Sequence, residues 1–152
     1  MILYVLTFLF GVCLDFSTKR WAEKTLMDTG GIDLIKNVFR FTYVENRGAA
    51  FGILQNRRYI FILLTLVIAA VLIVWVLKKK EPGLVLKFGV TFVITGAMGN
   101  MIDRVFLGYV VDFIDFCLIN FPVFNVADCF VCIGAAMIAI HYIYIEKDKD
   151  DE

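Results

Sequence analysis

Hydrophobic residues in this chain fall in long blocks separated by short polar breaks. Tyr59–Leu77 carries no charge and comes close to the roughly 20 apolar residues that a helix needs to cross a bilayer core. Leu84–Ile102 meets the same need if Lys87 runs its alkyl stem toward the headgroups. Val126–Ile145 does so with Asp128 near its start, an unfavourable placement that makes this carboxylate a functional candidate. Met1–Leu14 is shorter and spans a bilayer only if Asp15 to Thr18 continue the helix. The pattern predicts transmembrane helices at about 2–18, 59–77, 84–102 and 126–145. That is an all-α integral membrane fold with four transmembrane helices, one domain over residues 1–152, both termini on one side.

The period changes between the first two blocks. Asn37–Val44 alternates, with Phe39, Phe41 and Tyr43 on one side and Arg40 and Thr42 on the other, which is a strand pattern. Thr29-Gly30-Gly31 is a turn, and Ser17–Leu26 reads as an amphipathic helical continuation lying on the membrane surface. Segment 19–57 is therefore expected to hold a surface helix and a small β-sheet at the interface. The ending EKDKDDE, over 146–152, reads as a solvated charged tail.

Composition agrees with the blocks. The chain is 61% hydrophobic and 15% aromatic, against about 45–50% apolar residues in soluble domains. A formal net charge of zero removes any electrostatic argument for nucleic acid. Basic residues do not orient the helices. Six lysines (78, 79, 80, 87, 147, 149) fall on the side of the termini and nine Lys or Arg residues on the other, several of them in the folded segment, where the positive-inside rule says less.

Cys129 and Cys132 form a CxxC within an apolar run. His141, nine residues beyond Cys132, would lie roughly 13 Å away along a helix, too far to share a metal. The cysteines read as packing residues, and no metal site or cofactor is expected. LFGVC around Cys13 invites comparison with a lipoprotein signal, but no Lys or Arg precedes Lys19 and Val12 stands where a lipobox has Gly or Ala. An uncleaved first helix is expected.

Polar residues near the spans are regularly spaced. Gly89, Gly96, Asn100 and Asp103 share one helix face, as do Asn125, Asp128, Cys132, Ala135 and Ala139, and Gly11, Asp15 and Thr18 on the first helix. Three helices can thus turn small or polar stripes toward one interior. Asp103 beside Arg104 reads either as an ion pair closing a helix end or as part of the chemistry. Gly96 and Gly99 read as close-packing residues. Asn125-x-x-Asp128 reads equally as a helix cap and as part of a site.

Asp112 lies in GYVVDFIDF, between Gly108 and Pro122, in a stretch so apolar that an isolated carboxylate is unfavourable. Neighbouring Asp115 reads as a solvated loop acid. If Asp112 and Asp128 converge, repulsion and low dielectric raise one pKa and leave one acid and one base. Such a pair hydrolyses peptides: the ionised carboxylate activates water and the protonated one polarises the scissile carbonyl.

Five motifs occur in the order of one family: LDFSTK around Asp15, VENRGAAFG around Asn46, TGAMGNMIDR ending in Asp103-Arg104, LGYVVDF at Asp112, and FPVFNVAD at Asn125 and Asp128. On these the chain resembles lipoprotein signal peptidase (signal peptidase II) over roughly residues 11 to 145. The resemblance implies an aspartyl endopeptidase that acts on prolipoproteins whose lipobox cysteine bears diacylglyceryl, cleaving just before that cysteine. It implies Asp112 and Asp128 as the catalytic pair, with Asn46, Asn100, Asp103, Arg104 and Asn125 positioning substrate or supporting the pair, and Asp15 as an acid near the end of the first helix. It also implies a bacterial cytoplasmic (inner) membrane setting, cytoplasmic termini, an extracytoplasmic segment 19–57, an active site near the outer face, contact with membrane lipid, and inhibition by globomycin. A monomer is expected, since one chain accounts for the interior stripes. Phe16 stands where the family commonly has Gln, and Cys129 where Ser is usual.

Two rival readings make different demands. A proton-coupled transporter uses intramembrane acids, yet no internal repeat is evident and the acids gather near one surface. A non-catalytic scaffold would use Asp112 and Asp128 as caps and tolerate their amides.

Overall fold

The computed structural model describes residues 1–48, 55–119 and 121–146, the side chains of the last two excepted. Four helices, α1 (Ile2–Leu26), α2 (Arg58–Lys78), α3 (Leu84–Phe106) and α4 (Val126–Ile140), carry the apolar blocks, and α4 runs on into a π-helical turn, His141–Glu146. Each is long and apolar enough to cross a membrane, α4 when counted to Tyr144. The charged tail beyond residue 146, and residues 49–54, which include the end of the VENRGAAFG motif, lie outside the described residues.

Helix α3 is the central post, packing on α4, α1 and α2. Its contact with α4 depends on glycine. Gly89 and Gly134 face each other's main chain, and a Cβ on Gly134 would come within 2.5 Å of the Gly89 carbonyl oxygen. Small residues permit such approach, and in lipid close packing is a main source of helix association. The face of α4 turned to α3 therefore holds Ala127, Val131, Gly134 and Ile138. This corrects the predicted stripe: Cys132, Ala135 and Ala139 are exposed. Gly96 of α3 against the Ala127 carbonyl and Gly134 of α4 against the Gly89 carbonyl make the tightest approaches, and together they fix the rotation of the helix. Helix α2 packs on α3 and buries no residue completely.

Helix α1 is uninterrupted over 25 residues. The helix predicted over Ser17–Leu26 forms as the last turns of α1, not as a separate element on the membrane surface. Its small and apolar face is taken up by protein: Ala22 and Leu26 are buried with Val111 and Phe113.

Those two partners belong to a three-stranded antiparallel sheet in the order β1 (Ile32–Ile35), β2 (Phe39–Asn46), β3 (Val110–Asp115). Strand β2 is the alternating segment. Strand β3 comes from the α3–α4 connection, where sequence alternation is absent because five of its six residues are buried. Gly108 adopts φ +87°, which lets the chain leave α3 and turn into β3. The N–H groups of Leu107 and Gly108 both donate to the Asp103 carbonyl, at 2.7 and 3.2 Å. Trp21 meets Phe41 edge-on, ring centroids 5.4 Å apart, so the sheet rests on the end of α1.

Candidate active site

Sheet register places the first half of the site. Asp112, 2% exposed, pairs across the sheet with Val44. Asn46, two residues further along β2, lies on the same face and diagonal to Asp112. Its Nδ2 donates to Asp112 Oδ2 at 2.8 Å. The Gly48 N–H donates to Asn46 Oδ1 at 3.0 Å, which turns the amide so that its NH2 faces the carboxylate.

The second half arrives by a return of the chain. After β3 a short 3₁₀ turn (Cys117–Ile119) leads to Phe124, which bridges back to Ile114: Ile114 N–H donates to Phe124 O at 2.8 Å and Phe124 N–H to Ile114 O at 3.0 Å. The next residue, Asn125, is thereby set against Asp112. It is fully buried, and its Nδ2 donates to Asp112 Oδ1 at 2.6 Å. Its Oδ1 accepts the Asp128 N–H at 3.0 Å, while Asp128 Oδ2 accepts the Asn125 N–H at 3.1 Å. This reciprocal capping box starts α4. The two readings of Asn125-x-x-Asp128 are thus compatible, because the cap also carries Asp128 to the site.

Asp128 Oδ1 accepts from Asn100 Nδ2 at 2.7 Å. Behind Asn100 stands a residue that sequence reasoning missed. Lys19, 3% exposed, donates to Asn100 Oδ1 at 2.9 Å and pairs with Asp15 at 2.8 Å and Asp103 at 3.0 Å. The signal was present: Asp15 and Lys19 are four apart on a helix, the spacing of an ion pair, just where the apolar run Ile2–Leu14 gives way to polar residues.

Asp103 does not pair with Arg104. Its carboxylate takes Lys19 and the Val111 N–H, the latter at 3.2 Å, because consecutive residues on a helix point in different directions. Arg104 instead donates to the carbonyls of Asn100 at 3.3 Å and Gly48 at 3.1 Å, its guanidinium over the Phe61 ring. Asp15 reaches across to α4, accepting the Ala127 N–H at 2.8 Å, one of the first-turn donors that a helix leaves without an internal partner. Asp115 is not a solvated loop acid: it is 8% exposed and accepts from Arg40 at 2.8 Å, brought opposite by the β2–β3 register.

Asp112 and Asp128 both line one cavity of about 800 Å³, whose walls include Phe61, Phe116, Phe121 and Phe124. Asn46, Asn100 and Arg104 also line it, as do Cys129 and Cys132, which corrects their reading as packing cysteines. Burial first, and the nearby Asp128 charge second, push the Asp112 carboxyl up to about 7, against the opposing hydrogen bonds from Asn46 and Asn125 and the Lys19 charge. A paired acid that keeps its proton near neutrality beside a second carboxylate is equipped for acid and base catalysis with water. Among the described residues no group of three or more His, Cys, Asp or Glu side chains is disposed to hold a metal ion.

Residues 7–144 match the family described as Signal peptidase (SPase) II. The chain is 43% identical to the lipoprotein signal peptidase of Clostridioides difficile (strain 630) over 145 residues, covering 95% of this chain and 97% of that protein. It is 51% identical to the lipoprotein signal peptidase of Caldanaerobacter subterraneus subsp. tengcongensis over 139 residues, 91% and 92% of the two chains. Among solved structures, a bacterial membrane enzyme superposes with a TM-score of 0.86 at 33% identity, covering all of this chain and 92% of that one.

Proposed function

The chain belongs to the signal peptidase II family of aspartic peptidases, and we propose that it removes the signal peptide from diacylglyceryl-modified prolipoproteins by a two-aspartate, activated-water mechanism. It is a multi-pass membrane protein that processes prolipoproteins. The proposal adds the residues, the cleavage point and the orientation.

The observation that carries it is that Asp112 and Asp128, in unlike surroundings, line the same largely apolar cavity. In this mechanism the pair shares one proton, and Asp112, whose carboxyl is pushed up by burial and by the Asp128 charge, is the member that brings it to the reaction. Asp128 takes a proton from water as its oxygen attacks the scissile carbonyl, and Asp112 gives its proton to the carbonyl oxygen, forming a gem-diol. Collapse of the gem-diol breaks the C–N bond: one carboxyl delivers a proton to the departing amine and the other recovers one from the diol. The leaving amine is that of the lipidated cysteine. Asn46, Asn100 and Asn125 hold the carboxylates in place, Asp15 and Asp103 support them through Lys19, and Arg104, which lines the same cavity, helps to position substrate. No cofactor or metal enters this balance.

The same reading puts both termini in the cytoplasm and the sheet and the aspartates at the outer face of the bacterial membrane. In its favour, Lys78, Lys79 and Lys80 end α2 and open the loop before α3, where they suit a cytoplasmic loop. Lys19, Arg20, Arg40 and Arg47 are drawn into ion pairs of the opposite, folded end. The site draws all its residues from one chain, consistent with a monomer, and its apolar walls suit acyl chains and membrane lipid. Globomycin is expected to compete for it.

The test is cleavage of a diacylglyceryl-modified prolipoprotein by the purified protein in detergent. Asp112→Asn and Asp128→Asn chains should fold and lose activity. Normal cleavage by either would defeat the dyad, and equal cleavage of an unmodified prolipoprotein would defeat lipid recognition.

A further inference from the structure

Lys19 has a place in the site that neutralising two acids does not exhaust. Its ammonium touches three oxygens: Asp15 Oδ2 at 2.8 Å, Asp103 Oδ2 at 3.0 Å and Asn100 Oδ1 at 2.9 Å. An ammonium has three donors and no acceptor, so these contacts use it fully. The consequence falls on Asn100. The two ends of a side-chain amide are nearly the same size, and only partners decide which way it faces. An NH2 turned to Lys19 would set donor against donor. Asn100 must present Oδ1 to Lys19, and Asn125 Nδ2 donates to that same oxygen at 3.1 Å. The amide is left with Nδ2 aimed at Asp128 Oδ1, 2.7 Å away.

We propose that Lys19 is a positioning residue of the peptidase reaction, acting through Asn100: its donor-only ammonium fixes the amide so that a hydrogen-bond donor always faces Asp128. The inference rests on the aspartyl dyad reading above. Charged groups around Lys19 are Asp15 on its own helix and Asp103 on α3 in direct contact, Asp128 on α4 through Asn100, and Asp112 on β3 through its field. Without Lys19 the Asn100 oxygen keeps only the Asn125 Nδ2 contact at 3.1 Å, so the amide is held less firmly and its bond to Asp128 is no longer enforced from behind.

A double-mutant cycle separates this role from a purely structural one. Steady-state cleavage is measured for the wild type, Lys19→Met, Asn100→Ala and the double variant, each checked for folding by thermal unfolding in detergent. We expect Lys19→Met to lower kcat about 100-fold with little change in KM, the scale of a misplaced catalytic group. In the Asn100→Ala background the same substitution should cost less than about threefold, because its route to Asp128 is already cut. The basic limb of the pH–rate profile should move to higher pH in Lys19→Met, since the Lys19 charge favours ionised Asp112. Lys19→Met strands two buried carboxylates, so the cycle is repeated on an Asp103→Asn background, which removes one of them. Effects that multiply in both backgrounds, or failure of the Lys19→Met chains to fold in either, would make Lys19 a structural cation and overturn the proposal. A wild-type protein that leaves lipidated prolipoprotein intact would instead overturn the proposed function.

Discussion

Asn125 Nδ2 lies 2.6 Å from Asp112 Oδ1, and the oxygen of the same amide caps α4 by accepting the Asp128 N–H. One side chain thus ties the strand that carries one aspartate to the helix that carries the other. The two functions can be separated. Asn125→Ala should lose about 1 kcal/mol for the cap and a further 1–3 kcal/mol, roughly, for buried groups left without partners, with a large loss of cleavage rate. Asn125→Ser retains a capping oxygen, so it should recover much of the stability without recovering the rate. Thermal unfolding and steady-state cleavage on the three proteins decide this. A serine variant with wild-type activity would mean that the bond to Asp112 is dispensable.

Activity should fall as pH rises through about 7, with the loss of one proton, because Asp112 is held up to about 7 by burial and by the Asp128 charge. Asn46 donates to Asp112 and favours its ionised form, so Asn46→Ala should move that limb to higher pH. Stability follows with a definite sign. The folded value of about 7 lies above the ordinary 3.8, so between the two the unfolded chain has released a proton that the folded chain keeps. The unfolded state binds fewer protons, and this group's contribution falls as pH rises from about 4 to about 7 and is level above that. A pH–rate profile of wild type and Asn46→Ala checks the assignment, and a limb that stays fixed would assign it to another group.

Gly96→Ala should separate α3 from α4. The added Cβ would overlap the Ala127 carbonyl oxygen and come within 2.8 Å of Val131 Cγ2. The main-chain oxygen cannot swing aside. Asn100 follows Gly96 by one turn and Asp128 follows Ala127, so the strain reaches the Asn100–Asp128 bond directly. We expect a loss of about 1–3 kcal/mol together with reduced cleavage. Val131→Ala should not rescue it, since the side chain is not the main obstacle; rescue would contradict the assigned contact.

Cys132 is exposed and lines the cavity that Asp112 and Asp128 share, with Cys129 one turn nearer Asp128. Water must reach the aspartates for hydrolysis, so it also reaches this wall. N-ethylmaleimide should add there, sulfur bonding to one alkene carbon and the thiol proton passing to the other. We expect alkylation to lower cleavage about tenfold or more, and bound substrate to protect against it. Judged against its own untreated rate, Cys132→Ala should lose most of that sensitivity. Unchanged inactivation would move the reactive thiol elsewhere.

The four spanning helices, the β2 strand and the candidacy of Asp112 were legible along the chain. A bilayer is a uniform solvent that asks only for enough consecutive apolar residues, and an acid in such a setting is conspicuous by its desolvation. The ordered motifs added Asp128 and its companions by resemblance. Tertiary structure alone decided the pairings. Asp103 turned from its neighbour Arg104 to Lys19, Asp115 found Arg40 across the sheet, and α4 rotated until Gly134, not Ala135, faced α3. Strand β3 left no alternation to read because both its faces are covered. Each of these depends on which residues from distant parts of the chain are brought together: contact distance, register and helix rotation are set by close packing and by donors meeting acceptors, and none of them has a period along the sequence.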